Sequence, residues 1–86
     1  MMVETANNDG SVTIQIEDFT LTFKHNPHTQ TTSYKIIDSF EGTTDEVTVP
    51  TENFNLALRA FKDEKLTEAE YELAEAALGP NVRWIP

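Results

Sequence analysis

Hydrophobic and polar residues alternate along the first part of the chain. Apolar residues occupy every second position from Val12 to Ile16 and again from Phe19 to Phe23. A period of two is typical of a β-strand with one buried face, so both runs are predicted as strands. The apolar parity changes across Glu17-Asp18, which indicates either a two-residue turn or a β-bulge inside one long strand. Because Glu-Asp lacks the glycine or asparagine that tight hairpin turns favour, we predict the bulge.

Two further strands are predicted before the period changes. The segment from Lys24 to Gln30 contains Pro27, which cannot donate to a strand ladder, and it is predicted as a hairpin loop. Residues Thr31 to Phe40 again alternate and form a second long strand. After a turn, a short third strand from Glu46 to Val49 ends at Pro50.

The second part of the chain has the period of an α-helix. The apolar residues from Phe54 to Phe61 are spaced i, i+3, i+4 and i+7, which gives a helix one apolar face. The predicted helix runs from about Glu52 to Asp63, with Thr51 as its N-cap residue.

A second helix has clear start and stop signals. Thr67 and Glu70 have the spacing of a capping box, and Leu66 and Tyr71 have that of a hydrophobic staple. Gly79 is predicted to end the helix in the left-handed conformation. The predicted buried arc of this helix consists of Tyr71, Leu73, Ala74, Ala77 and Leu78.

These elements predict one α+β domain. Residues 1–11 are polar and aperiodic, and we expect them to be a flexible arm, whereas residues 12–86 form a single domain. In it, a three- or four-stranded antiparallel meander packs one face against a helical hairpin. Val82 and Trp84 are predicted to fold back onto the core. The predicted core contains Phe19, Leu21, Phe23, Tyr34, Ile36, Phe54, Leu58, Phe61, Tyr71 and Leu78.

Composition narrows the class of protein. The 86-residue chain contains no cysteine, which excludes a disulfide framework and a thiolate metal site. The first ten residues lack the basic and apolar regions of a signal peptide, and no segment has the length and hydrophobicity of a membrane span. We therefore expect a cytoplasmic protein that does not bind membranes.

The chain is strongly acidic. Its formal net charge of −9 repels phosphate backbones, so direct nucleic-acid binding is not expected. Such a charge serves solubility, adaptation to a salty cytoplasm or attraction to a basic partner, and the sequence leaves these three explanations open.

Few residues have the spacing of a catalytic or metal site. His25 and His28 are the only histidines, and two imidazoles in a loop make a weak metal site without a third ligand. The three glycines form no phosphate-binding loop, and no serine lies in a nucleophile-elbow context. We expect neither enzymatic activity nor a metal ion or other cofactor.

The acidic residues are unevenly distributed. Glu68, Glu72 and Glu75 lie at i, i+4 and i+7 on the second predicted helix, where no basic residue occurs between Thr67 and Gly79. Like charges at this spacing destabilise an isolated helix. A second acidic region precedes the first helix and includes Asp38, Glu41, Asp45 and Glu46.

These acids suggest a role in protein binding. If both acidic regions share one surface, the carboxylates resemble the phosphates of a nucleic acid, and the protein could inhibit a partner by occupying its basic nucleic-acid-binding groove. The alternative is a structural or assembly component that self-associates through a sheet edge or through the segment around Trp84. The sequence leaves the oligomeric state open.

Overall fold

The computed structural model describes residues 2–16, 19–38, 42–62 and 64–79. Within these ranges, strands come first and a pair of helices follows, which confirms the predicted α+β class. The elements are β1 (Met2–Ala6), β2 (Val12–Ile16), β3 (Phe19–Asn26), β4 (Thr31–Asp38), β5 (Gly42–Thr43), β6 (Val47–Pro50), α1 (Thr51–Phe61) and α2 (Glu68–Leu78).

The strands form one antiparallel sheet. Strands β1 to β4 are neighbours in sequence order, as in a meander. The edge of β4 that faces away from β3 pairs with two short strands. β6 pairs with Thr31 to Tyr34, and β5 pairs with Ile37 and Asp38. The helices pack against one face of this sheet. The opposite face, which we call the uncovered face, carries Val3, Thr5, Thr13, Gln15, Thr20, Thr22, Lys24, Ser33, Lys35 and Ile37.

The first predicted long strand is a hairpin. β2 and β3 pair antiparallel, with Ile16 opposite Phe19, so the predicted bulge across Glu17-Asp18 is wrong. Residues that pair across the two strands, such as Val12 and Phe23, face the same side of the sheet, so the hairpin accounts for the change of parity without a bulge. Glu17 and Asp18 themselves lie outside the described residues.

The N-terminal segment is an additional strand. Residues 1–11 were predicted to be a flexible arm, but Met2–Ala6 pairs along its whole length with β2. The turn is held by Asp9, whose Oδ1 accepts hydrogen bonds from the Ser11 N–H (2.9 Å) and hydroxyl (2.6 Å), and by Gly10 at φ 89°. An edge strand is stabilised by its backbone ladder, and β1 therefore needs no hydrophobic alternation of its own.

Helix α1 begins without the predicted side-chain cap. Pro50 occupies the N-cap position, and Thr51 is the first helical residue. The Thr51 hydroxyl is instead within 2.8 Å of Thr32 Oγ1, and the Thr51 N–H donates to the Gln30 carbonyl oxygen at 3.0 Å. Thr51 thus ties the helix to the β3–β4 hairpin, and its prediction as N-cap is wrong.

The predicted start of α2 is confirmed, but the predicted end is not. Thr67 Oγ1 accepts from the Glu70 N–H (3.2 Å), and Glu70 Oε1 accepts from the Thr67 N–H (2.9 Å), which completes the capping box. Gly79 has φ −46° and ψ −49°, the right-handed conformation, and its N–H donates to the Glu75 carbonyl oxygen. The helical hydrogen bonding therefore continues into Gly79.

The core lies between the sheet and the two helices. Six of the predicted core residues are buried, while Phe19, Leu58 and Phe61 pack at its edge and Tyr71 is only half-buried. Phe54 is the centre of an aromatic group, with ring centroids 4.7 Å from Phe23 and 5.8 Å from Tyr34. The C-terminal segment with Val82 and Trp84, predicted to fold back here, lies outside the described residues. The buried core consists of Ile14, Leu21, Phe23, Tyr34, Ile36, Val49, Phe54, Ala57, Ala74, Ala77 and Leu78.

Candidate functional site

Helix α2 is anchored at both ends and along one side. Its capping box holds the first turn, and Arg59 of α1 contacts Glu70 through an ion pair of 3.1 Å. At the other end, the buried Tyr34 hydroxyl donates to the Ala77 carbonyl oxygen at 2.8 Å. Ala74, Ala77 and Leu78 are buried against the rest of the fold. The opposite side of α2 is consequently presented to solvent in a defined orientation.

Three glutamates line one half of that exposed side. Glu68, Glu72 and Glu75 are all exposed, and among the described residues they make no ion pair or side-chain hydrogen bond. We call these three residues the acidic strip. Within the described part of the chain, no cation therefore offsets their mutual repulsion, which solvent and counterions screen.

The other half of the exposed side is apolar. Ala69, Leu73 and Ala76 are exposed, and Leu73 retains 41% of its accessible surface. We call these three residues the apolar strip. The prediction that Leu73 belongs to the buried arc is wrong. The buried arc is centred on Ala74, Ala77 and Leu78, and Leu73 is rotated about 100° from its neighbour Ala74.

The fourth glutamate of α2 has a different role. Glu70 accepts from the backbone N–H of Thr67, is approached by the Thr67 side chain and pairs with Arg59, and these contacts lower the pKa of its carboxyl. Glu70 thus contributes to the internal structure, whereas the acidic strip is available for an external partner.

The second predicted acidic region is not continuous with the acidic strip. Asp45 and Glu46 are exposed between β5 and β6, and Glu46 lines a groove on the uncovered face together with Lys35. Because α2 packs on the opposite side of the sheet, Glu46 and the acidic strip face in different directions. Asp38 is half-buried at the end of β4, and Glu41 lies outside the described residues.

The two histidines do not form a common site. His25 Nδ1 is 2.6 Å from the buried Thr32 Oγ1, and its ring packs against Phe23 and Phe54. At His28, the backbone N–H donates to Asn26 Oδ1 in the turn. Within the described part of the chain, no group of three or more His, Cys, Asp or Glu side chains is placed to hold a metal ion.

Sequence reasoning found the acidic strip from its spacing but missed the apolar strip. The signal was present, because Ala69, Leu73 and Ala76 are themselves spaced i, i+4 and i+7. An interface uses such residues differently from a core: small side chains allow close approach, and a single large one can enter a pocket.

Neither helix in the described ranges has the length and hydrophobicity needed to cross a lipid bilayer. No protein-family model matches the chain, and comparison with curated proteins and with solved structures finds no match either.

Proposed function

We propose that this chain is an acidic protein-binding module, which docks the exposed side of α2 on a basic surface of a partner protein. The observation that carries the proposal is the pairing of the acidic strip with the apolar strip on one anchored helix. The acidic strip supplies charge that no described residue pairs with, and the apolar strip supplies apolar area that the described fold leaves in water.

Electrostatics favours a basic partner. The acidic strip places three carboxylates on one helix face with no described cation beside them. Lysine or arginine side chains on a partner relieve this repulsion, and the net charge of −9 accelerates their encounter. Binding should therefore weaken as the salt concentration rises.

The apolar strip provides the short-range part of the contact. Leu73 is flanked by the small side chains of Ala69 and Ala76, so a partner surface can approach the helix closely. Complete burial of an exposed leucine side chain contributes about 1.5–3 kcal/mol. Leu73 is only partly exposed in the free protein, so its burial by a partner contributes part of this free energy. This contribution is insensitive to salt, unlike that of the acidic strip.

A specific form of the proposal is inhibition of a nucleic-acid-binding protein. Glu68 and Glu72 are separated by about 6 Å along the helix axis, a spacing of the same order as that of phosphates along a nucleic-acid strand. A basic groove in a nuclease, polymerase or repressor would accept α2 in place of its nucleic acid. In this form, binding of the module and binding of DNA are mutually exclusive.

Site-specific photo-crosslinking tests the proposed face. The full chain carries benzoylphenylalanine at Ala76 in one sample and at Gln15, an exposed residue of the uncovered face, in the control. Both samples are irradiated in an extract of the source cells. We expect a discrete adduct with a basic protein from position 76 and none from position 15. Adducts from position 15 alone, or equal adducts from both, contradict the proposal.

Competition with duplex DNA then tests the inhibitor form. Increasing DNA concentration should abolish the adduct at position 76 if the partner uses one groove for both ligands. An adduct that persists at saturating DNA contradicts the inhibitor form but leaves the protein-binding face intact.

A further inference from the structure

The uncovered face of the sheet carries a concave feature that is separate from the exposed side of α2. A groove of about 540 Å³ lies over the paired strands β3 and β4. We call it the lysine groove and define it by Thr22, Lys24, Ser33 and Lys35, with Asp9 and Glu46 at its margins. Its walls carry ammonium, hydroxyl and amide groups, which are hydrogen-bond donors.

The two lysines lie at neighbouring positions on one face of the sheet. Lys24 lies opposite Ser33 and Lys35 lies opposite Thr22, so the two positions are diagonal neighbours on one face, with their Cα atoms about 7–8 Å apart. Among the described residues, neither ammonium group forms an ion pair, whereas Arg59 and Lys62 both do. Hydrogen bonds from Ser11 are the main cause of the lowered pKa of the Asp9 carboxyl, and Lys24 is near enough to Asp9 to contribute to it. An anion that contacts both ammonium groups offsets the repulsion between them.

A chain of hydrogen bonds reaches Thr22, which lines the groove. Asn7 Nδ2 donates to Thr13 Oγ1 at 2.9 Å, and Thr13 Oγ1 is 3.3 Å from Thr22 Oγ1. Because the amide occupies an acceptor position on Thr13, the Thr13 hydroxyl can donate to Thr22. The Thr22 proton is then available to a ligand beside Lys35. Ser33 has a similar supporting contact, with Thr48 Oγ1 at 3.0 Å.

The carboxylates at the margins limit the size of the ligand. Asp9 accepts two hydrogen bonds from Ser11, and Glu46 also lines the groove. A long polyanion would extend over both carboxylates and be repelled. A compact anion interacts mainly with the two ammonium groups, because screening over about 8 Å weakens the field of the acids on the helices.

We propose that the lysine groove binds a small molecule through a compact dianionic oxyanion, either a phosphate or a dicarboxylate, held between Lys24 and Lys35. Thr22 and Ser33 donate hydrogen bonds to the same oxyanion from the floor of the groove. The site is independent of the protein-binding face on α2, because it lies on the other side of the sheet.

An NMR titration of the full chain tests the site. Inorganic phosphate and succinate are added separately at pH 7, with ionic strength held constant by sodium chloride. We expect saturable shifts that are largest at the amides of Thr22, Lys24, Ser33 and Lys35. Saturation by either anion supports the site, and the tighter of the two identifies the ligand class.

Matched variants distinguish the groove from general charge effects. Lys24→Gln and Lys35→Gln should each weaken binding about tenfold, the usual consequence of losing one charge-assisted hydrogen bond. Lys65→Gln removes an exposed lysine that forms no ion pair with any described residue, in the segment between the helices, and should leave the affinity unchanged. Shifts that fail to saturate with both anions, or equal losses in all three variants, overturn the proposal.

Discussion

The hydroxyl of Tyr34, in the fourth strand, donates a hydrogen bond of 2.8 Å to the carbonyl oxygen of Ala77, in the second helix. Ala77 lies in the last turn, where carbonyl oxygens have no N–H donor within their own helix. The bond satisfies this carbonyl inside the core and fixes the end of α2 relative to the sheet. The orientation of the protein-binding face therefore depends on it.

Removal of this hydroxyl should destabilise the protein. In Tyr34→Phe, the Ala77 carbonyl oxygen loses a buried donor, and we expect the free energy of unfolding to fall by about 1–2 kcal/mol. Urea denaturation measures the change. Thr43→Val, which removes an exposed hydroxyl from the short strand β5, is the control and should stay within about 0.5 kcal/mol. An unchanged urea midpoint in Tyr34→Phe would show that the bond does not anchor the helix.

The capping box gives a prediction for pH. Contacts with the Thr67 backbone N–H and side chain, and with Arg59, lower the pKa of Glu70 in the folded protein from its ordinary value of 4.5. Stability from this group is therefore complete above the ordinary pKa and is lost as the pH falls through the lowered pKa. Thr67→Ala should raise the pKa of Glu70 toward 4.5 and cost about 1 kcal/mol at neutral pH.

Carboxyl NMR titration of Glu70 and urea denaturation measure these two effects of Thr67→Ala. The Glu70 side chain should remain close to the helix start in this variant, because the backbone N–H at position 67 is retained. A Glu70 pKa that is already at its ordinary value in the unmodified protein would contradict the capping geometry.

Truncation of Leu78 should destabilise the protein much more than truncation of Leu73. Leu78→Ala removes a fully buried side chain and should cost about 2–5 kcal/mol. Leu73→Ala removes a side chain that is 41% exposed, and we expect a loss below about 1 kcal/mol. Thermal or urea denaturation compares the two variants. A large loss in Leu73→Ala would place this residue in the core and remove the apolar strip from the proposed interface.

The edge strand β1 should not drive self-association. Glu4 contacts Lys62 Nζ at 3.4 Å, and in a symmetric antiparallel pairing of two β1 strands about Glu4 the two glutamates would face each other. A charged residue at this position disfavours pairing between edges. Sedimentation should show a monomer, and Glu4→Val should increase association with concentration. A stable dimer of the unmodified chain would support an assembly role instead.

Local signals explain which parts of the fold the sequence predicts. The capping box at Thr67 and the helical spacing from Phe54 to Phe61 involve residues within one or two turns, and both predictions agree with the structure. The strand Met2–Ala6 leaves no such signal, because its stability comes from pairing with β2. Thr51 was wrongly predicted as the N-cap of α1, because the partner of its hydroxyl, Thr32, is remote in sequence.

The candidate site was likewise predictable from the sequence only where its residues share one element. Helical spacing alone identified the acidic strip, whose residues are all on one element. The separation of Glu46 from that strip depends on which sheet face the helices cover, and this is a property of the tertiary fold. The proximity of Lys24 and Lys35 likewise follows from the register between β3 and β4, which a spacing of eleven residues in sequence does not reveal.

The most direct test of the protein-binding face compares two variants that change the net charge equally. One is Glu68→Gln/Glu72→Gln/Glu75→Gln in the acidic strip, and the other is Asp45→Asn/Glu46→Gln/Glu52→Gln at exposed positions outside α2. Affinity for the crosslinked partner is measured by calorimetry at several salt concentrations. We predict that the first variant binds at least about tenfold more weakly, with a flatter salt dependence, while the second retains most of the affinity. Equal losses in both variants, or a larger loss in the second, would contradict the assignment of the binding face to α2.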